Sequence, residues 1–305
     1  YRNMKKGRVS IAIHTGKIDY VPLLENLLKS ILYCNRYPDL EIILIESAGI
    51  GQVRSWFEKI NFNDNFVNFD GTKTNIKKDD CVQITKNLLF LNYPDDLPWY
   101  TCYQDATREG LRVSTGQYFA FIAEDNQFAF IGDILSDYIK VIEHEGEDKT
   151  MVSLSTLQQY KHTKKNNRSG PIQELGDINY FVTEYTKWDP NLLCSKKVYE
   201  RLGPLTLSDP EDPHRSINYL SERARNLEMK RVFMAISQNI WCAEYNKPKN
   251  IQVIKSKTEK NSEFLLFAPQ DYEMIKKSFR EMIGVEGFPN LPLSTDSFYG
   301  DTRNY

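Results

Sequence analysis

Apolar residues in the first half of the chain follow two rhythms. RVSIAIH (8–14) and DLEIILI (39–45) are short, nearly unbroken apolar runs bounded by polar turns, as expected of strands buried on both faces. PLLENLLKSILYC (22–34) instead repeats its apolar residues at three- and four-residue spacing, which predicts an amphipathic helix. Strand, helix and strand in that order predict a βαβ unit, so the sheet begins parallel.

Further along, SWFEKI (55–60) predicts a short helix and NFVNFD (65–70) a third strand, followed by a polar loop over 71–81. GIGQVR (49–54) reads as a turn: its glycines lie two apart, but it lacks the third glycine of a dinucleotide fingerprint and the GK[ST] ending of a phosphate loop. ATREGLRVST (106–115) predicts a helix and residues 117–122 of GQYFAFI a strand. Then come a helix over 131–145, a strand over 150–156 and a polar run, KHTKKNNRSG (161–170), that reads as a solvated loop or a phosphate clamp. PNLLCSKKVYERL (190–202) resumes order. GPLTLSDPEDP (203–213) opens a helix, and MKRVFMAI (229–236) supplies a late strand. From about residue 246 the composition shifts to a Lys/Asn-rich connector, a helix near 269–283 and a Gly/Pro/Asp-rich tail, without internal repeats.

The 305 residues suit one large domain or two joined halves. A net charge of −2 supplies no basic field for nucleic acid. No apolar run approaches the roughly 20 residues of a transmembrane helix, and no secretory leader is visible, although the chain opens on Tyr1 rather than Met. A cytoplasmic setting is expected, with peripheral membrane contact left open. Five scattered cysteines without a CxxC pair argue against a disulfide framework or zinc cluster. The four histidines show no metal-binding helical spacing.

The candidate chemistry is acidic and sits at element ends. AEDNQF (123–128) places Glu124, Asp125 and Asn126 directly after an apolar strand, where open α/β sheets carry ligand sites. The same residues also suit a solvated turn, with Asn126 supplying turn chemistry. Glu46 closes the second strand, and Glu211-Asp212 precede a helix with Pro213 at its first position. Asp212 there reads either as a working carboxylate or as an N-cap.

Taken in order, these pieces resemble GT-A glycosyltransferases, more narrowly the inverting family 2 of the spore-coat polysaccharide type, over roughly residues 7–245. Thr15 of HTGK falls where the family contacts the nucleotide, and Glu46 of LIESAG falls on the acid that contacts the base. Ala106-Thr107-Arg108-Glu109-Gly110 lies over the family's ARNxG helix, and GQYFAFIAEDN over GEYxxFxxDDN. Three departures stand out. Strand two ends in Glu rather than Asp, Thr107-Arg108 replaces an Arg-Asn pair, and the DxDD metal motif reads Ala123-Glu124-Asp125-Asn126. The resemblance implies an α/β fold with a GT-A-like (Rossmann-like), mixed but mostly parallel sheet flanked by helices. It would comprise a domain over 1–245, with a nucleotide-sugar half (7–126) and an acceptor half (127–245), and a C-terminal helical extension over 246–305.

The function so implied is metal-assisted, inverting transfer of a hexose from a nucleotide diphosphate sugar, UDP-linked by family habit, to a glycan or lipid-linked hydroxyl acceptor, as in polysaccharide biosynthesis. Mn²⁺ or Mg²⁺ would offset the charge of the departing diphosphate through hard oxygen ligands, with Asp125 as ligand and Glu124 on the ribose or a metal water. Arg108 would add positive charge near the phosphates or simply be an exposed helix arginine. Inversion needs a base for the acceptor hydroxyl, and Asp212 takes that role, with Glu211 and Asp209 as fallbacks. Arg223 stands later than the family arginine. His214 would line the acceptor pocket or face solvent, and Trp188 and Trp241 would stack on sugars or serve as core. Two other classes compete. A sugar-phosphate nucleotidyltransferase would need a glycine-rich, arginine-containing loop after strand one, where this chain has HTGK. A degenerate GT-A domain would bind a glycan or partner without turnover, a reading supported by the lost first Asp.

Overall fold

The structure, a computed structural model, describes residues 4–15, 21–47, 51–62, 66–74, 83–91, 103–124, 126–128, 130–154, 169–183, 191–205, 213–236, 239–241, 270–274 and 276–277. β1 (Lys5–Thr15) and β2 (Asp39–Ser47) run parallel on either side of α1 (Val21–Cys34), so the expected βαβ unit is present. Then follow α2 (Gly51–Lys59), a small β3 (Phe66–Val67) to β4 (Lys73–Thr74) hairpin, and β5 (Gln83–Leu91). α3 (Tyr103–Val113) leads into β6 (Gly116–Ala123), trailed by the short strands β7 (Asn126–Phe128) and β8 (Phe130–Ile131). The second half contains α4 (Ile134–Glu145), β9 (Thr150–Ser153), β10 (Ser169–Leu175), β11 (Ile178–Thr183) and β12 (Leu192–Ser195). It continues with α5 (Lys196–Leu202), α6 (Pro213–Asn226), β13 (Lys230–Met234), β14 (Asn239–Trp241) and β15 (Gln270–Asp271).

Nine strands form one sheet in the order β10-β11-β13-β9-β12-β6-β1-β2-β5. β5, β2, β1 and β6 are mutually parallel, β12 opposes β6 and β9, β13 follows β9, and β11 opposes both β13 and β10. Only β11 and β12 therefore run against the other seven, giving the mixed, mostly parallel sheet expected. Alternate strand residues pack on opposite faces. Val9, Ile11, Ile13, Ile42 and Leu44 join α1, α2 and α4 in the larger core, while Ala12, Ile43, Ile45, Phe119 and Phe121 join α3, α5 and α6 in the second. A methyl group on Gly110 of α3 would lie 2.9 Å from Ile45 Cδ1 and 3.1 Å from Ala12 Cβ, so glycine lets this helix lie close to the sheet.

Several expected elements differ. GIGQVR is not simply a turn, because Gly51–Arg54 opens α2; Val53, Trp56 and Phe57, at helical spacing, bury its inner face. NFVNFD contributes only the two residues of β3, outside the main sheet. The place beside β2 belongs to β5, a strand the pattern did not indicate because Lys86-Asn87 interrupts its apolar run. Lys86 is held by the carbonyls of Phe57, Glu58 and Ile60 at the end of α2. The β10–β11 hairpin was also unanticipated, although Gly176-Asp177 (Gly176 φ 62°) is a two-residue turn signal. α4 begins at Ile134 rather than 131, because Phe130–Ile131 pairs with Gln270–Asp271 and Asp133 caps the helix. The late helix near 269–283 is replaced at its start by β15, with Tyr272–Met274 helical; beyond Lys277 it lies outside the described residues.

Gln270–Lys277 packs on the α/β body. Tyr272 is buried, and its hydroxyl donates to Asp137 on α4 at 2.9 Å. Lys276 reaches the same carboxylate at 3.2 Å and Asp177, in the β10–β11 turn, at 2.9 Å.

Candidate functional site

The carboxyl ends of β2, β1 and β6 lie side by side. Thr15 is the register partner of Glu46, and His14 that of Ala123, one residue before Glu124. Parallel neighbours are about 4.8 Å apart, so an acid, a hydroxyl and a second acid converge on one rim of the sheet. The β1–β2–β6 order, set by the βαβ connection, creates that convergence from residues far apart in sequence.

Thr15 and Glu46 are each 0% exposed, yet Thr15 Oγ1 and both Glu46 carboxyl oxygens have no hydrogen-bond partner among the described residues. Buried polar groups are ordinarily satisfied, and leaving a carboxylate without a donor is costly. Burial accordingly pushes the Glu46 carboxyl up to about 7. The Arg54 charge and the Arg54 backbone N–H, on the first turn of α2, pull it down by less than burial raises it, and the Glu58 charge adds to the rise. His14, stacked on Phe121 on the opposite face, is pushed down to about 4 by burial and stays neutral at physiological pH.

Glu124 is buried at the end of β6. The Asn126 amide is also buried and donates to Ala123 O at 3.0 Å, so it braces the segment after the strand rather than serving as an exposed turn residue. β14 pairs with β7 immediately downstream, setting Trp241 opposite Asn126. Arg108 is not brought to Glu46. It sits on α3, which covers the other sheet face, and engages Glu109 at 3.2 Å and Asp105 at 3.6 Å on its own helix. Arg223 rests its guanidinium against Gly203, at the end of α5. Asp125, Asp209, Glu211, Asp212 and Trp188 lie outside the described residues. α6 does begin at Pro213, as the Asp-Pro pair implied.

Asn191 was missed in the sequence. Its N–H donates to Phe121 O at 2.7 Å and its carbonyl accepts from Leu154 N at 2.8 Å, tying together the rim ends of β6 and β9. It holds a left-handed φ of 64°, and its Oδ1 is buried with no partner among the described residues. An Asn just before an apolar run was the only available signal.

For a divalent metal, the described part of the rim offers Glu124, a hard oxygen donor of the kind Mg²⁺ and Mn²⁺ take. Among the described residues no cluster of three or more metal-ligating side chains forms, and none of their helices is long and apolar enough to cross a membrane.

No family model matches the chain, and neither does any curated protein. Solved structures show loose likenesses. S. aureus TarS aligns with a TM-score of 0.45 and 11% identity, over 84% of this chain and 40% of that one. TarS 1–349 in complex with UDP aligns with a TM-score of 0.45 and 13% identity, over 76% of this chain and 60% of that one. The mannosyltransferase PcManGT from Pyrobaculum calidifontis, in complex with GDP-Man and Mn2+, aligns with a TM-score of 0.42 and 16% identity, over 71% and 52%. The chain thus spans less than two thirds of each of these three. Scores this low assign no role to any residue here, and the site stands on its own geometry.

Proposed function

We propose that the protein is a glycosyltransferase that moves a sugar from a nucleotide diphosphate sugar, UDP-linked, to a hydroxyl of a glycan or lipid-linked acceptor. The observation that carries this reading is the buried, unpartnered Thr15–Glu46 pair at the carboxyl ends of two parallel strands. Open α/β sheets bind ligands there, and a hydrogen-bonding base edge would satisfy both side chains. Glu124, after β6 and one strand beyond β1, would contact the ribose. The order of motifs along the chain, similar to inverting family 2 enzymes, supports the same reading.

Asp125 would hold Mn²⁺ or Mg²⁺, which supplies Lewis-acid stabilisation of the leaving diphosphate. Asp212, with Glu211 beside it, would take the acceptor proton during inversion. Arg108 would contribute to phosphate binding only by exchanging its present carboxylate partners.

The test is a thermal-shift panel of UDP-, GDP-, CMP- and dTDP-sugars with Mn²⁺, followed by hydrolysis of any sugar that binds. A ligand that binds only the folded state raises its melting temperature. A UDP-sugar that stabilises the protein and is slowly hydrolysed supports the reading; no stabilisation by any of the four overturns it. Binding without turnover would assign a glycan- or partner-binding module, a reading favoured by Ala123 at the position of the family motif's first Asp.

A further inference from the structure

Glu46 is fully buried, and neither of its oxygens has a hydrogen-bond partner among the described residues. The described elements packed around it offer little to hold an anion. β1 brings Thr15 and β5 brings Phe90 as register partners, neither of them charged. α2 brings Arg54 and Glu58, which pair with one another at 3.2 Å on the exposed side of that helix, and the Arg54 charge and backbone N–H pull on the carboxyl less than burial pushes it. Lys86 of β5 is held by carbonyls at the far end of α2. Burial without a dedicated counter-charge favours the protonated carboxyl.

The two protonation states recognise different chemistry. A carboxylate offers acceptors alone, which suits an edge with two adjacent N–H groups, as in guanine. A carboxylic acid offers one O–H donor and one carbonyl acceptor. We propose that Glu46 engages the donor nucleobase as a neutral carboxylic acid, accepting from an N–H and donating to the neighbouring carbonyl, the pattern of the imide edge of uracil. Thr15, whose hydroxyl both donates and accepts, completes the edge. The inference rests on the nucleotide-sugar reading, with its UDP-linked donor, and adds to it the form in which the acid reads the base.

Glutamine presents the same single donor and single acceptor but does not titrate, so Glu46→Gln separates the two forms. UDP binding to the full chain is measured by titration calorimetry between pH 6.5 and 8.5, with GDP alongside. The wild-type affinity for UDP should fall by about 20-fold across this range as the acid titrates near pH 7. Glu46→Gln should match wild type at pH 6.5 within about twofold and stay flat, relative to the diphosphate titration common to both proteins. A tenfold loss in Glu46→Gln at pH 6.5, a wild-type affinity that is flat or rises with pH, or GDP preferred over UDP at pH 6.5 would each overturn the inference. The wild-type profile alone decides if the variant does not fold. Absence of binding by any nucleotide at any pH overturns instead the nucleotide-sugar reading beneath it.

Discussion

Thr15 and Glu46 are register partners at the carboxyl ends of β1 and β2, and both bury oxygens that no described residue satisfies. A pair left unsatisfied in the free protein gains most from a ligand that satisfies it. Glu46→Ala should therefore weaken nucleotide binding at pH 6.5 by about 1–3 kcal/mol, for two neutral hydrogen bonds, and Thr15→Val by about 0.5–1.5 kcal/mol. Titration calorimetry at fixed pH checks both. Unchanged affinity in Glu46→Ala would place the nucleotide away from the end of β2.

Glu46 also couples stability to pH. Its folded pKa of about 7 lies above the ordinary 4.5, so the folded state keeps a proton that the unfolded chain releases. The associated stability is fully present below about pH 4.5 and is lost as pH rises through about 7. Removing the titration with Glu46→Gln should leave stability near pH 4 unchanged and raise it at pH 8 by up to about 3 kcal/mol. Urea denaturation at the two pH values reads this out. A variant no more stable than wild type at pH 8 would mean that the carboxyl finds a partner in solution.

Asp137 fastens the C-terminal segment to α4. Burial alone would raise its pKa, but hydrogen bonds from Lys140 and Tyr272 and the Lys276 charge outweigh burial and hold it below the ordinary value. That stability is present above the unfolded pKa and disappears as pH falls through the folded one. Asp137→Asn should cost about 1.5–3 kcal/mol at pH 7. The loss should fall in the lower part of that range, because Lys276 keeps Asp177 and Glu273 as partners. Denaturant melts at pH 7 and pH 3 test this, and the difference between the two proteins should shrink at the lower pH.

Asp125→Ala should abolish Mn²⁺-dependent binding of a nucleotide sugar while leaving the melting temperature of the free protein nearly unchanged. A hard divalent ion depends on its charged oxygen ligands. Glu124→Ala should be milder. Donor binding by Asp125→Ala equal to that of wild type would remove the metal role from this position.

The central βαβ unit and the strand before AEDNQF were legible because β1, β2 and β6 carry long apolar runs with little polar interruption. β5 was not, because Lys86 and Asn87 break its pattern for reasons visible only once Lys86 is seen to hold the end of α2. Strands of two or three residues, such as β7, β8, β14 and β15, depend on partners from distant segments and leave no local periodicity. At the site, the sequence placed Thr15 and Glu46 at strand ends. Their shared register, burial and lack of partners arise from packing. The i,i+3 spacing of Asp105 and Arg108 already contained the pairing that now occupies the arginine.

Asp212 precedes Pro213, the first residue of α6, at a helix N-terminus whose dipole favours an ionised carboxylate. An ionised carboxylate is the form a general base needs, and it is also a good N-cap, so position alone does not separate the two roles. Asp212→Asn does, because asparagine caps a helix about as well as aspartate but has no basicity. Transfer should fall by about 10²-fold or more, the scale of a lost general base, with donor affinity and melting temperature nearly unchanged. Turnover measured with saturating donor, alongside a melt of the same sample, reads both. A variant that keeps near-normal turnover would leave Asp212 as a helix cap and move the base to Glu211 or Asp209.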